Sequence, residues 1–133
     1  MTIVGFEKSV VDSILSHALN TYPKEAILLL RGKKGRNMTI VDEVVLPPLA
    51  THGSGFSGFP TYMLPMDLRI VGVSHSHPSG NSQPSVYDLN HFYGRIMVIA
   101  AYPFQSYSDI VVFDKDGSRL PWELTSDGQP DSD

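Results

Sequence analysis

The stretch HSHPSGNSQPSVYD, residues 75–88, gathers side chains that bind metals, in a chain with five histidines and no cysteine. His75 and His77 stand two residues apart, and a loop of small polar residues and prolines leads from them to Ser85 and Asp88. Without thiolates, a zinc site in this chain has to use His, Asp or Glu side chains. The stretch is therefore either a turn that holds two histidines or part of a metal site.

The spacing of the two histidines fits the end of a β-strand. Side chains alternate along a strand, so Val71, Val73, His75 and His77 are predicted to share one face. At roughly 3.3 Å per residue, the two histidines lie about 7 Å apart, and their rings can lean onto one zinc ion. Two solvent-facing or hydrogen-bonded histidines are the alternative, because a lone His-x-His pattern is weak evidence for a metal.

The residues downstream favour the metal site. Loop 78–84 can turn the chain back so that the first turn of the next helix faces the strand end, which makes Asp88 a candidate third ligand. Three protein ligands and one water are typical of catalytic zinc, whereas structural zinc has four protein ligands. Ser85 and Asp88 also fit a capping box, with Ser85 at the N-cap. Ser85 is compatible with both interpretations, but Asp88 is not expected to serve both fully.

A hydrolytic zinc site also needs a base that accepts the proton of the attacking water. Glu25 begins the otherwise apolar segment EAILLL, where a carboxylate is costly unless it has a function or lies at an exposed strand end. Local sequence leaves both interpretations of Glu25 open.

The whole pattern is His-x-His-Pro, six residues, then Ser-x-x-Asp, with a glutamate 50 residues before the first histidine. It resembles the JAMM (MPN+) metalloprotease family. The segment YPKEAILLLRG is similar to the family's first glutamate-bearing segment, and YMLPMDLRIVGVSHSHP resembles the strand that enters the site in its small archaeal members. The resemblance covers most of residues 1–124. It implies that zinc is bound by His75, His77 and Asp88, that Glu25 is the general acid/base and that Ser85 supports the oxyanion.

One departure concerns the residues after Glu25. Many family members have a cysteine and a glycine there, whereas this chain continues with Ala26, Ile27 and Leu28. This argues against close kinship with the eukaryotic deubiquitinases, although every catalytic position is retained.

Length and composition predict one α/β domain. The chain has 133 residues, 41% of them hydrophobic and 18% charged, with a net charge of −4, as is typical of globular proteins. Residues 1–124 are predicted to form the domain and the acidic segment 125–133 a disordered tail. Strands outnumber helices, which indicates one mixed β-sheet flanked by helices. The resemblance implies a single MPN/JAMM-type domain with a cytidine deaminase-like architecture.

The predicted elements follow from periodicity and turn residues. They are a helix capped by Ser9 and ended by Tyr22-Pro23, a hairpin of strands 25–32 and 38–46 with its turn at 32–37, a strand at 68–77, a helix at 84–94, strands at 95–102 and 109–114, and an extended segment at 119–124.

We expect no nucleic-acid or membrane partner. The small basic cluster at residues 31–36 fits a solvated turn, and nucleic-acid binding needs a larger basic surface. No signal peptide is visible, and the longest apolar run, AILLL, is far too short to span a bilayer. The protein is expected to be cytoplasmic. The oligomeric state is left open, with a homodimer as one option.

The expected function is that of a zinc-dependent isopeptidase, which hydrolyses the bond between the C-terminal glycine of a ubiquitin-like modifier and a substrate lysine. One alternative is a RadC-like peptidase, although that family usually carries an additional N-terminal helical domain. The others are trimming of a sulfur-carrier protein and a metal-retaining scaffold in a larger assembly.

The segment THGSGFSGFPTY, residues 51–62, is glycine-rich and predicted to be loop-like. It is a candidate substrate clamp, because main-chain pairing suits an extended Gly-Gly tail. The candidate substrate-binding residues are Gly53, Gly55, Phe56, Gly58, Phe59 and Tyr62. A plain connection between two strands is the alternative. His52 is expected to be a surface residue, with a substrate contact as the alternative. His91 follows Asp88 by three residues on the same helical face and could approach the metal, but it is expected to lie at the surface or to support the site indirectly. The roles of both histidines are left open.

Overall fold

The computed structural model describes residues 2–47, 51–53, 56–58, 68–90 and 94–125. These residues form ten strands, two α-helices and a 3₁₀ helix at Tyr107–Asp109. The strands are β1 (Ile3–Phe6), β2 (Ile27–Lys34), β3 (Met38–Val45), β4 (Thr51–Gly53), β5 (Phe56–Gly58), β6 (Ile70–His77), β7 (Ile96–Ala101), β8 (Ile110–Phe113), β9 (Arg119–Leu120) and β10 (Trp122–Leu124). The helices are α1 (Lys8–Thr21) and α2 (Val86–Asn90).

Eight strands form one mixed sheet in the order β10-β1-β3-β2-β6-β7-β8-β9, and β4 pairs with β5 separately. β1 is parallel to β3 and β10, β6 is parallel to β7, and the other neighbours are antiparallel. Only Pro121 separates β9 from β10, yet these strands lie at opposite edges. The sheet therefore curls until its edges approach each other, and the Trp122 indole N–H donates to the Ile110 carbonyl, 3.2 Å away.

Helix α1 covers one face of the sheet with an apolar stripe of helical spacing. Its buried residues are Val10, Val11, Ile14, Leu15 and Ala18. They pack with sheet residues such as Phe6, Leu30 and Val41 in the main core. A second cluster contains Ile27, Val73, Met97, Ile99, Val111 and Phe113. Along β2, β7 and β8 its members alternate with main-core residues. The predicted mixed sheet flanked by helices is confirmed.

The boundaries of α1 differ from the prediction at one end. The helix begins at Lys8, and Glu7 takes the N-cap position without a side-chain capping bond, so Ser9 lies inside the helix and the predicted Ser9 cap is wrong. Glu7 is extended (φ −64°, ψ 144°), which sets the helix start two residues before the predicted one. The predicted end is right, because Tyr22 leaves the helical region (ψ 137°) directly before Pro23.

The predicted hairpin forms with a shorter turn, because β2 continues to Lys34 and only residues 35–37 connect it to β3. Its register shifts between Arg31 and Gly32. A Cβ at Gly32 would lie 1.7 Å from the Ile40 carbonyl oxygen, so the close approach at this bulge requires glycine. Strand β1 was not predicted, since its four residues gain their partners only from β3 and β10, which are distant in sequence.

Two further expectations need correction. Val71 belongs to the core under α1, whereas Val73 belongs to the opposite cluster, because the register between β2 and β6 shifts at this end of β6.

The glycine-rich segment expected to be loop-like contains the β4–β5 ladder, in which Thr51 pairs with Gly58 and His52 with Ser57. Main-chain hydrogen bonds need no side chain, so glycines do not prevent such pairing.

The predicted tail lies outside the described residues except for Thr125, whose N–H donates to the Phe6 carbonyl (2.8 Å). Within the described part of the chain, no helix has the length and apolar character needed to cross a membrane.

Candidate functional site

The candidate site lies where β6 ends. This strand is buried along its whole length between antiparallel β2 and parallel β7. His75 is opposite Ile27 on β2 and Ile99 on β7, so its ring lies on the face of the second cluster, away from α1. His77 has the same orientation, two residues further on. The predicted common face therefore holds for Val73, His75 and His77.

His75 is buried with both ring nitrogens unpartnered among the described residues. It is 4% exposed, and neither Nδ1 nor Nε2 has a hydrogen-bond partner there. Burial lowers the pKa of His75 to about 4, although the Asp88 carboxylate acts in the opposite direction. The ring is therefore neutral near pH 7. Buried polar atoms without partners are costly, and a metal ion would satisfy one of these nitrogens.

His77 is held on both sides of its ring. Its Nδ1–H donates to the Asn81 carbonyl (2.8 Å), and its Nε2 faces Asp88 Oδ2 at 3.1 Å. Since Nδ1 carries the proton of the neutral ring, Nε2 and the carboxylate are two acceptors that need a cation between them, either a second proton or a metal. Metal-ligating histidines commonly donate their other N–H to a carbonyl in this way.

The protonation of His77 fits this arrangement. Burial alone would lower its pKa, but the Asp88 and Asn81 hydrogen bonds and the charges of Asp88 and Glu25 outweigh it and raise the pKa. In the absence of metal, the raised pKa of His77 favours an imidazolium beside the Asp88 carboxylate. A metal at Nε2 would replace that proton.

Asp88 forms the predicted capping box and contacts His77 with the same oxygen. Ser85 N–H donates to Asp88 Oδ2 (2.9 Å), and Asp88 N–H donates to Ser85 Oγ (2.9 Å). The capping box is therefore confirmed, and the ligand role of Asp88 stays a prediction. Burial would raise the pKa of Asp88, but the His77 and Ser85 bonds and the positive charges nearby lower it to about 2. The side chain is an anion across the physiological range.

Glu25 lies two residues before β2, at the same end of the sheet as His77, because β2 runs antiparallel to β6. It is half-buried. Desolvation raises the pKa of Glu25; the charge of His77 opposes this shift and that of Asp88 adds to it. A carboxyl with a raised pKa beside a candidate metal site has the properties of a general acid/base.

An open cleft of about 640 Å³ joins these groups. Glu25, His77, Ser85 and Asp88 line it together with residues of loop 78–83, whereas His75 lies behind His77 and does not line it. Within the described ranges, no three His, Asp or Glu side chains are already arranged around one metal position. The ligand roles of His75, His77 and Asp88 stay predictions, supported by the unpartnered nitrogens of His75 and the two facing acceptors.

Sequence reasoning missed Ser76, the residue between the two histidines. Its side chain faces the core under α1, and its Oγ accepts a hydrogen bond from Ala26 N–H (2.7 Å), while its own N–H donates to the Ala26 carbonyl (2.9 Å). These bonds fix the backbone next to Glu25 against the strand that carries the histidines. The available signal was a polar residue at a core-facing position of a buried strand.

The other predicted residues are distributed differently. Gly53 ends β4, and Phe56 and Gly58 begin and end β5. Gly55, Phe59, Tyr62 and His91 lie outside the described residues, so their predicted roles stay predictions. His52 is known here only by its backbone pairing with Ser57.

Comparison with known families identifies the domain. Residues 7–116 match the family described as prokaryotic homologs of the JAB domain. The chain belongs to this JAB-domain family. A probable metalloprotease from Haloferax volcanii is 30% identical over 122 residues, which cover 86% of this chain and 75% of that protein. The predicted resemblance to the JAMM family and its small archaeal members is confirmed.

Solved structures of JAB-domain proteins share the fold. One, described as a metalloprotease-like zinc site in the proteasome and signalosome, has a TM-score of 0.67 and 23% identity over 94% of this chain and 100% of that one. A JAB1/MPN domain protein from Archaeoglobus fulgidus has a TM-score of 0.65 and 23% identity over 95% and 97%. These structures show that the chain has the fold of JAMM-type domains.

Proposed function

We propose that this JAB-domain protein is a zinc-dependent isopeptidase that cleaves the bond between the C-terminal glycine of a ubiquitin-like modifier and a substrate lysine. The observation that carries the proposal is the shared cleft, in which Glu25 with its raised pKa faces the His77–Asp88 pair. Family membership and the archaeal metalloprotease relative support hydrolysis. The modifier specificity is the finer part of the proposal.

The donor set fits zinc. Two imidazoles and one carboxylate are the ligand types of catalytic zinc, and this chain has no thiolate. His75 has unpartnered nitrogens, and His77 is oriented by its Nδ1–H bond to Asn81. When bound, zinc would lower the pKa of a water to about 7 and polarise the scissile carbonyl.

Glu25 moves the proton in this scheme. Its carboxylate accepts a proton from the attacking water as the new carbon–oxygen bond forms, and it returns that proton to the lysine nitrogen as the carbon–nitrogen bond breaks. Proton balance is thereby kept, and the lysine leaves as a neutral amine. The raised pKa of Glu25 makes its carboxylate a stronger base for the first transfer and leaves a larger share of it protonated for the second.

In the proposed mechanism, Ser85 stabilises the oxyanion. Its Oγ already accepts the Asp88 N–H, so its own hydroxyl hydrogen is available for donation, and the side chain is exposed in the cleft. A donor at the developing negative charge stabilises the transition state more than the ground state. Gly53, Gly55, Phe56, Gly58, Phe59 and Tyr62 stay the proposed contacts for the extended modifier tail, through strand addition beside β4 and β5.

The test is turnover of a defined conjugate. The zinc-loaded protein is incubated with an archaeal ubiquitin-like modifier joined through its Gly-Gly end to a lysine of a second protein, and release of both products is followed. Glu25→Gln keeps the shape of the side chain but removes the proton acceptor, so we expect zinc binding to persist and the rate to fall by about 10²- to 10⁴-fold.

Three results would contradict the proposal. The first is no cleavage by the zinc-loaded parent protein. The second is full activity of Glu25→Gln, which would show that the base has been misassigned. The third is cleavage of a linear precursor whose chain continues beyond Gly-Gly, without cleavage of the isopeptide conjugate. That result would place the protein with the sulfur-carrier trimming peptidases instead.

A further inference from the structure

Two exposed tyrosines form a tilted ring pair beyond the ends of α1 and β7. Tyr22 is 43% exposed and Tyr102 is 46% exposed, and their ring centroids lie 4.9 Å apart with the planes tilted by 31°. We call this pair the tyrosine ledge. Tyr22 follows α1, and Tyr102 follows β7, so the ledge joins two segments that are 80 residues apart in sequence.

The ledge is rigidly supported. Phe104 is buried beneath it (3% exposed) and meets both rings edge-on, at 6.3 Å from Tyr22 and 5.7 Å from Tyr102. The backbone is fixed as well, since Tyr22 N–H donates to the Ala18 carbonyl and Tyr102 N–H donates to the His77 carbonyl. Exposed aromatic rings that are already held in place lose little entropy on binding, which is a property of binding hot spots.

The ledge is continuous with the cleft on the Glu25 side. Pro23 directly follows Tyr22 and lines the cleft together with Glu25. Tyr102 N–H donates a hydrogen bond to the carbonyl of His77, which lines the same cleft. Ser85 and Tyr87, from the segment around the start of α2, line the same cleft.

The proposed chemistry assigns Ser85 and Glu25 to the two halves of the substrate, and this step rests on the proposed function. Ser85 donates to the oxygen of the modifier's terminal carbonyl. Glu25 returns its proton to the leaving lysine nitrogen, so the polypeptide that carries this lysine leaves from the Glu25 side. We propose that the tyrosine ledge binds this leaving polypeptide through apolar or proline side chains next to the modified lysine.

The experiment compares two substrates that share one modifier. The first joins an archaeal ubiquitin-like modifier to a lysine of a folded protein, and the second joins it to aminomethylcoumarin, whose small amine cannot reach beyond the cleft. For Tyr22→Ala/Tyr102→Ala we expect kcat/KM on the protein conjugate to fall by at least about tenfold. On the coumarin substrate we expect a change of less than about twofold.

Matched variants separate binding from folding. Tyr22→Phe/Tyr102→Phe keeps both rings and is expected to retain parental selectivity. Leu124→Ala removes an exposed apolar side chain of β10 and is expected to leave both substrates unaffected. Zinc content and thermal midpoint are measured for each protein. If the double alanine variant does not fold, Tyr22→Gln alone removes one ring of the ledge and is expected to lower cleavage of the protein conjugate selectively.

The outcomes distinguish this inference from the proposed function. Selective loss on the protein conjugate supports the ledge. Equal loss on both substrates, or no loss on either, overturns the ledge while the activity of the parent protein upholds the isopeptidase. A zinc-loaded parent that cleaves neither substrate overturns the proposed function and the ledge with it.

Discussion

The two faces of β6 differ in how their polar groups are satisfied. On the face towards α1, the Ser76 hydroxyl accepts a 2.7 Å bond from Ala26 N–H and is buried in a packed core. On the other face, His75 is equally buried, but both of its ring nitrogens lack partners among the described residues. Alternate residues of one strand thus show a completed contact and an incomplete one, and the incomplete one lies on the face of the proposed metal site.

The largest effect is expected from removing candidate metal ligands at the face of β6 that carries the histidines. His77→Ala/Asp88→Asn removes one imidazole and the carboxylate charge, while the asparagine oxygen can still accept the Ser85 N–H bond. We expect zinc content to fall to background in metal analysis of the purified protein, because one candidate ligand is left at full strength. Gln83→Ala, which changes an exposed residue of the same cleft, is the control. Undiminished zinc in the double variant would contradict the assignment.

Burial of His75 should also lower the stability of the metal-free protein in acid, after the metal is removed by a chelator. The folded-state pKa of His75 is about 4, below its ordinary value of 6.5, so the folded protein binds fewer protons than the unfolded chain between these values. Stability is therefore fully present above pH 6.5 and falls as the pH decreases to about 4, by about 3 kcal/mol from this group.

His75→Leu isolates that contribution, because leucine does not titrate. The pKa of His77 is raised, so its contribution to the free energy of unfolding is fully present below pH 6.5. The contribution of Asp88 is nearly constant above 3.8, the ordinary pKa of its carboxyl. Glu25 acts in the opposite direction to His75, which is why the difference between parent and variant is needed. Urea unfolding at pH 7 and pH 4.5 gives the change in unfolding free energy between these pH values for each protein. An equal change in the parent and in His75→Leu would contradict this account of His75.

Ser85→Ala tests whether the capping serine also contributes to catalysis. We expect turnover to slow by roughly a hundredfold, as for other lost oxyanion donors, with zinc content unchanged. Loss of the cap should cost about 1 kcal/mol of stability. Ser85→Thr keeps the hydroxyl and should recover most of both. A variant with lower stability and parental turnover would show that Ser85 is only a cap.

The smallest effect is expected on the completed face. Ser76→Ala leaves the buried Ala26 N–H without its side-chain partner, at a cost of about 1 to 2 kcal/mol in unfolding free energy. Zinc content should not change, because the serine points away from the site. Ser74→Ala is the control, since it removes a hydroxyl from the same face and leaves the Ala26 bond intact. If both variants are equally stable, the Ala26 bond does not fix this backbone.

Local sequence was informative where one short segment determines the geometry. The alternation along β6 correctly placed His75 and His77 on one face, and the Ser85–Asp88 spacing correctly predicted a capping box. Tyr22-Pro23 correctly ended α1, because the restriction before proline is local. The α/β class followed from the same kind of evidence, and the motif spacing was enough to indicate the family.

Tertiary structure decided everything that depends on distant segments meeting. β1 becomes a strand only through β3 and β10, and the register shift beside Val71 arises from its pairing with β2. The sequence leaves Glu25 as either a base or an exposed strand start; antiparallel pairing of β2 with β6 brings it to the cleft of His77. The Ser76–Ala26 bond and the tyrosine ledge likewise join residues 50 and 80 positions apart. Sequence alone thus determined which chemical groups are present and how neighbouring ones alternate, whereas only the folded sheet decided which of them meet, because pairing between remote strands depends on packing of the whole domain.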